Sequence, residues 1–204
     1  MSSWDYNVTT DACTAHDAHG GTVDKLQTSY GLPRLIRRAW SHERSPTGKY
    51  EWLTPPDIIR ALGSFDLDPC APERRPWSTA RCHYTIQDDG LRQAWFGRVW
   101  LNPPYGPETH KWLARLAQHG NGIALIFART ETRMFFDYIW EQAHAVLFLR
   151  GRLTFYNLDG TKPKNSGGAP SCLVAYGLDN VAALGASGLA GKLVRLSLNG
   201  RKET

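Results

Sequence analysis

The segment from Arg98 to Phe127 constrains the fold more than any other part of the sequence. It contains an apolar stretch, RVWL at 98–101, an amphipathic stretch at 110–120, and GIALIF at 122–127, which has no polar residue. Apolar residues recur at helical spacing in the amphipathic stretch, whereas a short unbroken apolar run is typical of a strand covered on both sheet faces. Strands that alternate with helices predict a mostly parallel sheet with helices on both faces.

The same alternation extends over the rest of the domain. We predict helices over 54–63 and 132–143, the first with Thr54 as its N-cap, and strands over 65–68 and 145–149. Toward the C-terminus the pattern changes to that of an antiparallel edge. The strands predicted there are LTFY at 153–156, SCLVAY at 171–176 and KLVRLSL at 192–198. The expected fold is therefore α/β, with a mostly parallel central sheet, an antiparallel edge and helices on both faces.

The N-terminal quarter differs in composition from the remainder. It is polar and rich in Gly, Ser and Thr, and it includes the linker-like stretch SPTGK at 45–49. We therefore predict a polar, partly flexible extension over 1–49 and one compact domain over 50–204. The formal charge of +5 favours a polyanionic partner, and basic residues are concentrated at 33–49. A solvated helix face followed by a linker is the other interpretation of that basic segment.

Membrane and metal binding are both expected to be absent. No apolar run approaches the about 20 residues of a membrane helix, and the polar N-terminus lacks the regions of a signal peptide. We therefore expect a cytoplasmic protein. Cys13, His16 and His19 are residue types that can ligate zinc, but no obvious fourth ligand accompanies them, so a mobile polar segment without metal is expected.

A rigid corner, Asn102-Pro103-Pro104-Tyr105, follows the strand RVWL, and Asp68-Pro69-Cys70 follows the strand FDLD. Because the carboxyl ends of parallel strands share one edge, we expect both segments to face one crevice. The two prolines fix φ and hold the chain extended. The Asn102 amide oxygen and the Pro103 carbonyl then offer two acceptors, and Tyr105 offers a flat ring. Two acceptors and a ring suit the exocyclic NH₂ group of a planar base.

Six motifs in order carry a resemblance to a known family. They are WLTPP at 52–56, FDLDPCA at 65–71, HYTIQDDGL at 83–91, VWLNPPYG at 99–106, ARTET at 128–132 and GRLTF at 151–155. This succession, over about residues 50 to 177, resembles the phage-type DNA adenine N6-methyltransferases, and ordered motifs are far more specific than one tetrapeptide. The resemblance implies a Rossmann-like methyltransferase fold and S-adenosylmethionine as cofactor. It also implies double-stranded DNA with a flipped adenine as partner, in a bacterial or phage-infected bacterial cell.

The resemblance also implies roles for particular residues. Asn102 and the Pro103 carbonyl would bind the N6 amino group, Pro104 would stiffen the corner, and Tyr105 would stack on the adenine. The candidate cofactor residues are Thr54, Pro55, Asp68, Pro69 and Cys70, with Asp88 or Asp89 at the adenosine. The candidate DNA contacts are Phe155 as a second wall for the base, and Arg37, Arg38, Lys162 and Lys164 at phosphates. The alternatives from local sequence are a helix cap for Thr54, a turn at Asp88-Asp89-Gly90, and the core for Phe155.

Three other functions remain alternatives. An N5-glutamine protein methyltransferase uses the same tetrapeptide, but it should carry a glycine-rich loop that DPCAPE at 68–73 lacks. An N4-cytosine DNA methyltransferase acts on a similar amino group, although that family usually has serine at the position of Asn102. An inactive DNA-binding module would keep the scaffold, because fold does not guarantee activity.

Overall fold

The computed structural model of the chain describes residues 52–164 and 168–197. The predicted extension over 1–49, with Arg37, Arg38 and the group Cys13, His16 and His19, lies outside the described residues. So does the predicted domain boundary near Tyr50.

The described residues contain four α-helices, one π-helical segment and seven strands. The helices are α1 (Pro56–Leu62), α2 (Thr109–His119), α3 (Arg133–Phe135) and α4 (Leu178–Ala186), and the π-helical segment is Phe136–Trp140. The strands are β1 (Leu67–Asp68), β2 (Cys82–His83), β3 (Val99–Leu101), β4 (Gly122–Phe127), β5 (Ala145–Leu149), β6 (Ser171–Tyr176) and β7 (Gly191–Arg195). None of the described helices is long and apolar enough to cross a membrane.

All seven strands form one sheet in the order β2-β1-β3-β4-β6-β5-β7. The pairs from β2 to β4 are parallel, whereas β6 is antiparallel to both β4 and β5, and β7 is antiparallel to β5. The α/β class is confirmed, but the predicted arrangement is only partly right. Half of the pairings are antiparallel, and β6 lies inside the sheet rather than at its edge. All six residues of β6 are buried, because it has a neighbour on each side and is covered on both faces.

The sheet is covered on both faces, as predicted. In β4, Ile123 and Leu125 pack in one cluster with residues of α1 and α4. Because side chains alternate along a strand, Ala124 and Ile126 face the other side. Helix α2, whose buried residues lie outside that cluster, contacts β3 and β4. The carboxyl ends of β1, β3 and β4 therefore emerge together at one edge, between two helical layers.

Three local predictions differ from the structure. The predicted strand LTFY forms only a single bridge, Leu53↔Tyr156, because the long connection after β5 does not lie along a neighbouring strand. The predicted helix over 132–143 divides into α3 and the wider π-helical turns of Phe136–Trp140. Strand β2 was missed, because its two residues lie within an irregular, proline-containing stretch that has no periodic pattern.

Candidate active site

The ends of β1 and β3 bring the two predicted motifs into contact. The strands pair in parallel through Leu67↔Val99. Beyond that pair, the Cys70 thiol donates to the main-chain oxygen of Asn102 at 3.3 Å. The segment after β1 and the corner after β3 are therefore in contact, at the edge where open parallel sheets usually bind ligands.

Asn102 presents its amide oxygen without an intramolecular partner. Its Nδ2 donates to the Thr54 hydroxyl at 3.3 Å, while its Oδ1 is buried and accepts no hydrogen bond from the described residues. A buried acceptor that lacks a donor is costly, so such a group in a native structure calls for a ligand or water. The amide is thus held by its donor side and left open on its acceptor side.

The remainder of the corner is fixed to the start of α2. The buried Thr109 hydroxyl donates to the Pro104 carbonyl at 2.7 Å and accepts from the Gly106 main-chain N–H at 2.9 Å. Thr109 was not identified from the sequence. The available signal was a hydroxyl residue just beyond the proline turn, at the start of a helical pattern.

Tyr105 stacks on Phe127, the last residue of β4. The ring centroids are 4.0 Å apart and the planes differ by 14°. The Tyr105 hydroxyl is buried and has no partner in the described structure. Burial, and secondarily the neighbouring Cys172, raises the pKa of Tyr105 above its ordinary value, so the ring stays neutral. Sequence reasoning missed Phe127, although its place at the end of an apolar strand put it on the same edge of the sheet as Tyr105.

Asp68 is a buried carboxylate, with 3% of its surface exposed. It accepts hydrogen bonds from the Thr79 hydroxyl and, at 3.2 Å, from the Cys70 main-chain N–H. Burial raises the pKa of Asp68 to about 6, and the hydrogen bonds and the charge of Arg75 oppose that rise only in part. The carboxyl is therefore a destabilised anion at neutral pH, and a cationic ligand group beside it would relieve the cost.

Thr79, which the sequence analysis also missed, is held in place by His83. The main-chain N–H groups of Thr79 and Ala80 both donate to His83 Nε2 at 3.3 Å. Burial and the charge of Arg75 lower the pKa of His83 to about 4, so the imidazole is neutral at pH 7 and can accept these bonds. A neutral His83 therefore positions the hydroxyl that binds Asp68.

Thr54 contacts the corner rather than capping a helix. Helix α1 begins at Pro56 after Pro55, and no side chain caps it. Thr54 is 2% exposed, and its hydroxyl accepts from Asn102. The predicted N-cap role is therefore wrong, because the helix starts one residue too late for it. Pro55 is also buried beside it.

The loop after β2 lies against the segment that follows β1. A Cβ atom on Gly90 would stand 1.9 Å from the Pro69 carbonyl oxygen, so only glycine allows this approach. Asp88 is exposed and accepts from the Thr85 N–H at 2.8 Å, and Asp89, with φ 51°, pairs with Arg92 at 3.3 Å. Both carboxylates take part in local turn contacts, and their predicted contact with the cofactor's adenosine stays a prediction.

The predicted DNA contacts lie in different environments. Phe155 is 7% exposed and packs in the core, so protein encloses its ring in this conformation. Lys162 and Lys164 are exposed on the loop before β6. The role of Phe155 as a second wall for the base stays a prediction.

The fold and the site define an α/β protein whose candidate site residues meet at the carboxyl ends of its parallel strands. The chain belongs to the DNA N-6-adenine-methyltransferase (Dam) family, whose sequence model matches residues 42–178. No curated protein and no solved structure matches it. The protein is thus a DNA adenine N6-methyltransferase, as its motifs predicted, and it belongs to a class of enzymes that depend on S-adenosylmethionine.

Proposed function

We propose that this enzyme methylates a flipped adenine of double-stranded DNA at the corner Asn102–Tyr105, with S-adenosylmethionine held beside Asp68. The observation that carries the proposal is the buried, unpartnered Oδ1 of Asn102, one residue from the buried Pro103 and three from the aromatic Tyr105. An acceptor with no donor of its own is suited to the N–H of a bound amino group.

The chemical difficulty is that the adenine amino lone pair is delocalised into the ring, so the nitrogen is a poor nucleophile. Two acceptors, Asn102 Oδ1 and the Pro103 carbonyl, would bind the two amino protons and favour sp³ geometry at nitrogen as it attacks. Such fixed dipoles require no reorganisation during reaction and supply electrostatic stabilisation without a strong base. The corner is well suited to this, because Thr54, Thr109 and the Cys70 thiol all restrain it.

Asp68 fits the positively charged amino group of the cofactor's methionine end. Its carboxylate is buried, and its raised pKa shows that the ionised form lacks full compensation. Thr54, Pro55, Pro69 and Cys70 would form the adjoining wall. S-adenosylmethionine would supply an electrophilic methyl group whose transfer leaves a neutral thioether, so alignment with the amino nitrogen is the main task of this wall.

Tyr105 would receive the base after it leaves the duplex. Extrusion of a paired base costs a few kcal/mol, and stacking on an aromatic ring returns about 1–3 kcal/mol.

In this proposal the fold is Rossmann-like, because β1, β3 and β4 are parallel and present the site at their carboxyl ends. Residues 50–204 form the catalytic domain in this proposal, and the enzyme acts in the cytoplasm. The side chains that would contact DNA phosphates are Arg37, Arg38, Lys162 and Lys164.

A transfer assay tests this function. The protein is incubated with S-adenosylmethionine labelled in its methyl group and with either unmethylated duplex DNA or a protein extract. We expect label in the DNA alone, and digestion to nucleosides should place it in N6-methyladenine. Label on glutamine, or in N4-methylcytosine, would contradict the proposal.

A Phe127→Leu substitution tests the stack beneath Tyr105. Loss of the ring should leave Tyr105 less well oriented and lower kcat by about 10-fold, since small misplacements are costly in catalysis. Binding of S-adenosylmethionine should be unchanged. Phe96→Leu is the matched control, because it removes another half-buried ring, shortly before β3 begins and therefore away from the carboxyl ends of the parallel strands. Equal kcat losses in both variants would indicate a general packing effect and contradict the assignment.

A further inference from the structure

A cavity of about 320 Å³ lies beside the catalytic corner. Its apolar walls come from Tyr105, Pro107, Ile126, Phe127 and Met134, and its polar groups include Arg129, His110 and Thr132. Neither Asn102 nor Asp68 lines it. The cavity therefore adjoins the site of methyl transfer through Tyr105 without being part of it.

Arg129 belongs to the motif ARTET at 128–132, to which the proposed reaction assigns no role. Two hydrogen bonds hold its main chain beside the cavity: its own N–H donates to the Phe127 carbonyl at 2.8 Å, and its carbonyl accepts from the Thr132 N–H at 3.2 Å. The neighbouring Thr130 carbonyl accepts from Trp140 Nε1 at 3.2 Å. Arg129 itself is exposed and lines the cavity, so a hydrogen-bonded backbone carries a guanidinium group there.

We propose that this cavity is a subsite for the nucleotide next to the target adenine, with its base or sugar against the Tyr105–Phe127 wall and its phosphate at Arg129. This inference rests on the proposed function. A flipped adenine stays covalently linked to its neighbours, so a nucleotide adjoining it lies within one backbone link of Tyr105. The cavity that Tyr105 and Phe127 line is therefore within reach of such a nucleotide.

The chemistry of the cavity agrees with a nucleotide. Aromatic and apolar walls stack on the face of a base whatever its identity, and a guanidinium group matches phosphate oxygens in geometry and charge. The chain's net charge of +5 favours the same polyanion. S-adenosylmethionine is the less suitable occupant, because Asp68, the carboxylate that would bind its amino group, does not line the cavity.

Two variants test the subsite. In Met134→Trp the indole should fill the cavity from α3, and we expect KM for duplex DNA to rise at least 10-fold. The affinity for S-adenosylmethionine and the Tm should stay unchanged. In Arg129→Ala the slope of log Kd for DNA against log salt should fall by about one unit, as for the loss of one phosphate contact.

Arg195→Ala is the matched control for the charge. It removes an exposed arginine at the end of β7. Arg195 pairs with Ala145, the first residue of β5, and therefore lies at the end of the sheet opposite to the cavity. Its salt slope should equal that of the wild type. The subsite is contradicted if wild-type protein methylates DNA while Met134→Trp does so with unchanged KM, or if Arg129→Ala and Arg195→Ala have the same slope. Failure of wild-type protein to methylate DNA would instead overturn the proposed function, and the subsite with it.

Discussion

Replacement of Asn102 by alanine is expected to slow methyl transfer by about 10²- to 10³-fold, the usual effect of removing one preorganised polar group from a transition-state site. The fold should be nearly unaffected. Oδ1 makes no intramolecular hydrogen bond in the described structure, and Nδ2 makes one, to the Thr54 hydroxyl at 3.3 Å. Most of the loss should therefore appear in the chemical step rather than in stability.

Single-turnover kinetics at saturating DNA and S-adenosylmethionine measure this effect directly. Asn121→Ala is a suitable control, since this asparagine lies just before β4, away from the carboxyl ends of the parallel strands. Its amide bonds to Gly97 and Asn180, so its loss should lower stability and leave the rate of methyl transfer unchanged. Thr54→Val should give an intermediate loss of about 10-fold, because it frees the amide to rotate but keeps its oxygen. An Asn102→Ala enzyme with the wild-type rate would contradict the role that we assign to Asn102.

Asp68→Asn is expected to weaken binding of S-adenosylmethionine at least 10-fold and yet to stabilise the folded protein at pH 7.5. Ionised Asp68 is buried, and its pKa is raised from 3.8 to about 6. An increase in pKa of that size lowers the unfolding free energy by about 3 kcal/mol at neutral pH, at 1.36 kcal/mol per pKa unit. The variant loses part of the hydrogen bonding to Thr79 and Cys70, worth about 1 kcal/mol. The net gain in unfolding free energy should be about 2 kcal/mol.

The sign of the pH dependence follows from the direction of the shift. Between pH 4 and pH 6 the folded state binds more protons at Asp68 than the unfolded state does, so the unfolding free energy of the wild type falls as pH rises through this range. Near pH 4, Asp68 is protonated in the folded state and about half protonated in the unfolded state, so most of the advantage of the variant should disappear. Urea unfolding of both proteins at pH 7.5 and at pH 4 measures the difference.

Cofactor binding adds a second readout for Asp68. The affinity of the wild type for S-adenosylmethionine should decrease as pH falls below about 6, where the carboxyl gains a proton, whereas the affinity of Asp68→Asn should lack this step. A variant that binds S-adenosylmethionine like the wild type would contradict the placement of the cofactor beside Asp68. A variant that is less stable at pH 7.5 would contradict the cost that we assign to the buried anion.

The sequence predicted those features that local patterns determine. GIALIF coincides with β4 at both ends, because a strand covered on both faces needs an unbroken apolar run between polar turns. The positions of Asp68 and Asn102 at neighbouring strand ends also followed from local pattern, together with the rule that parallel strands share a carboxyl edge.

Features that depend on tertiary contacts could not be predicted in the same way. SCLVAY was recognised as a strand, but its place between β4 and β5 depends on pairing between distant segments. The stack of Tyr105 on Phe127 joins residues 22 positions apart, and the bond from Thr79 to Asp68 spans a loop without periodicity. Both contacts bear on the candidate site, and both depend on how the loops pack at the edge of the sheet.

The most direct test of the catalytic assignment is to quantify modified nucleosides in the DNA of a methylation-free host that expresses either the wild type or Asn102→Ala at equal levels. We predict N6-methyladenine in the DNA of cells with the wild type and only background in the DNA of cells with the variant. Equal N6-methyladenine in the two samples, or N4-methylcytosine in its place, would contradict the account of the corner as the site of adenine methylation.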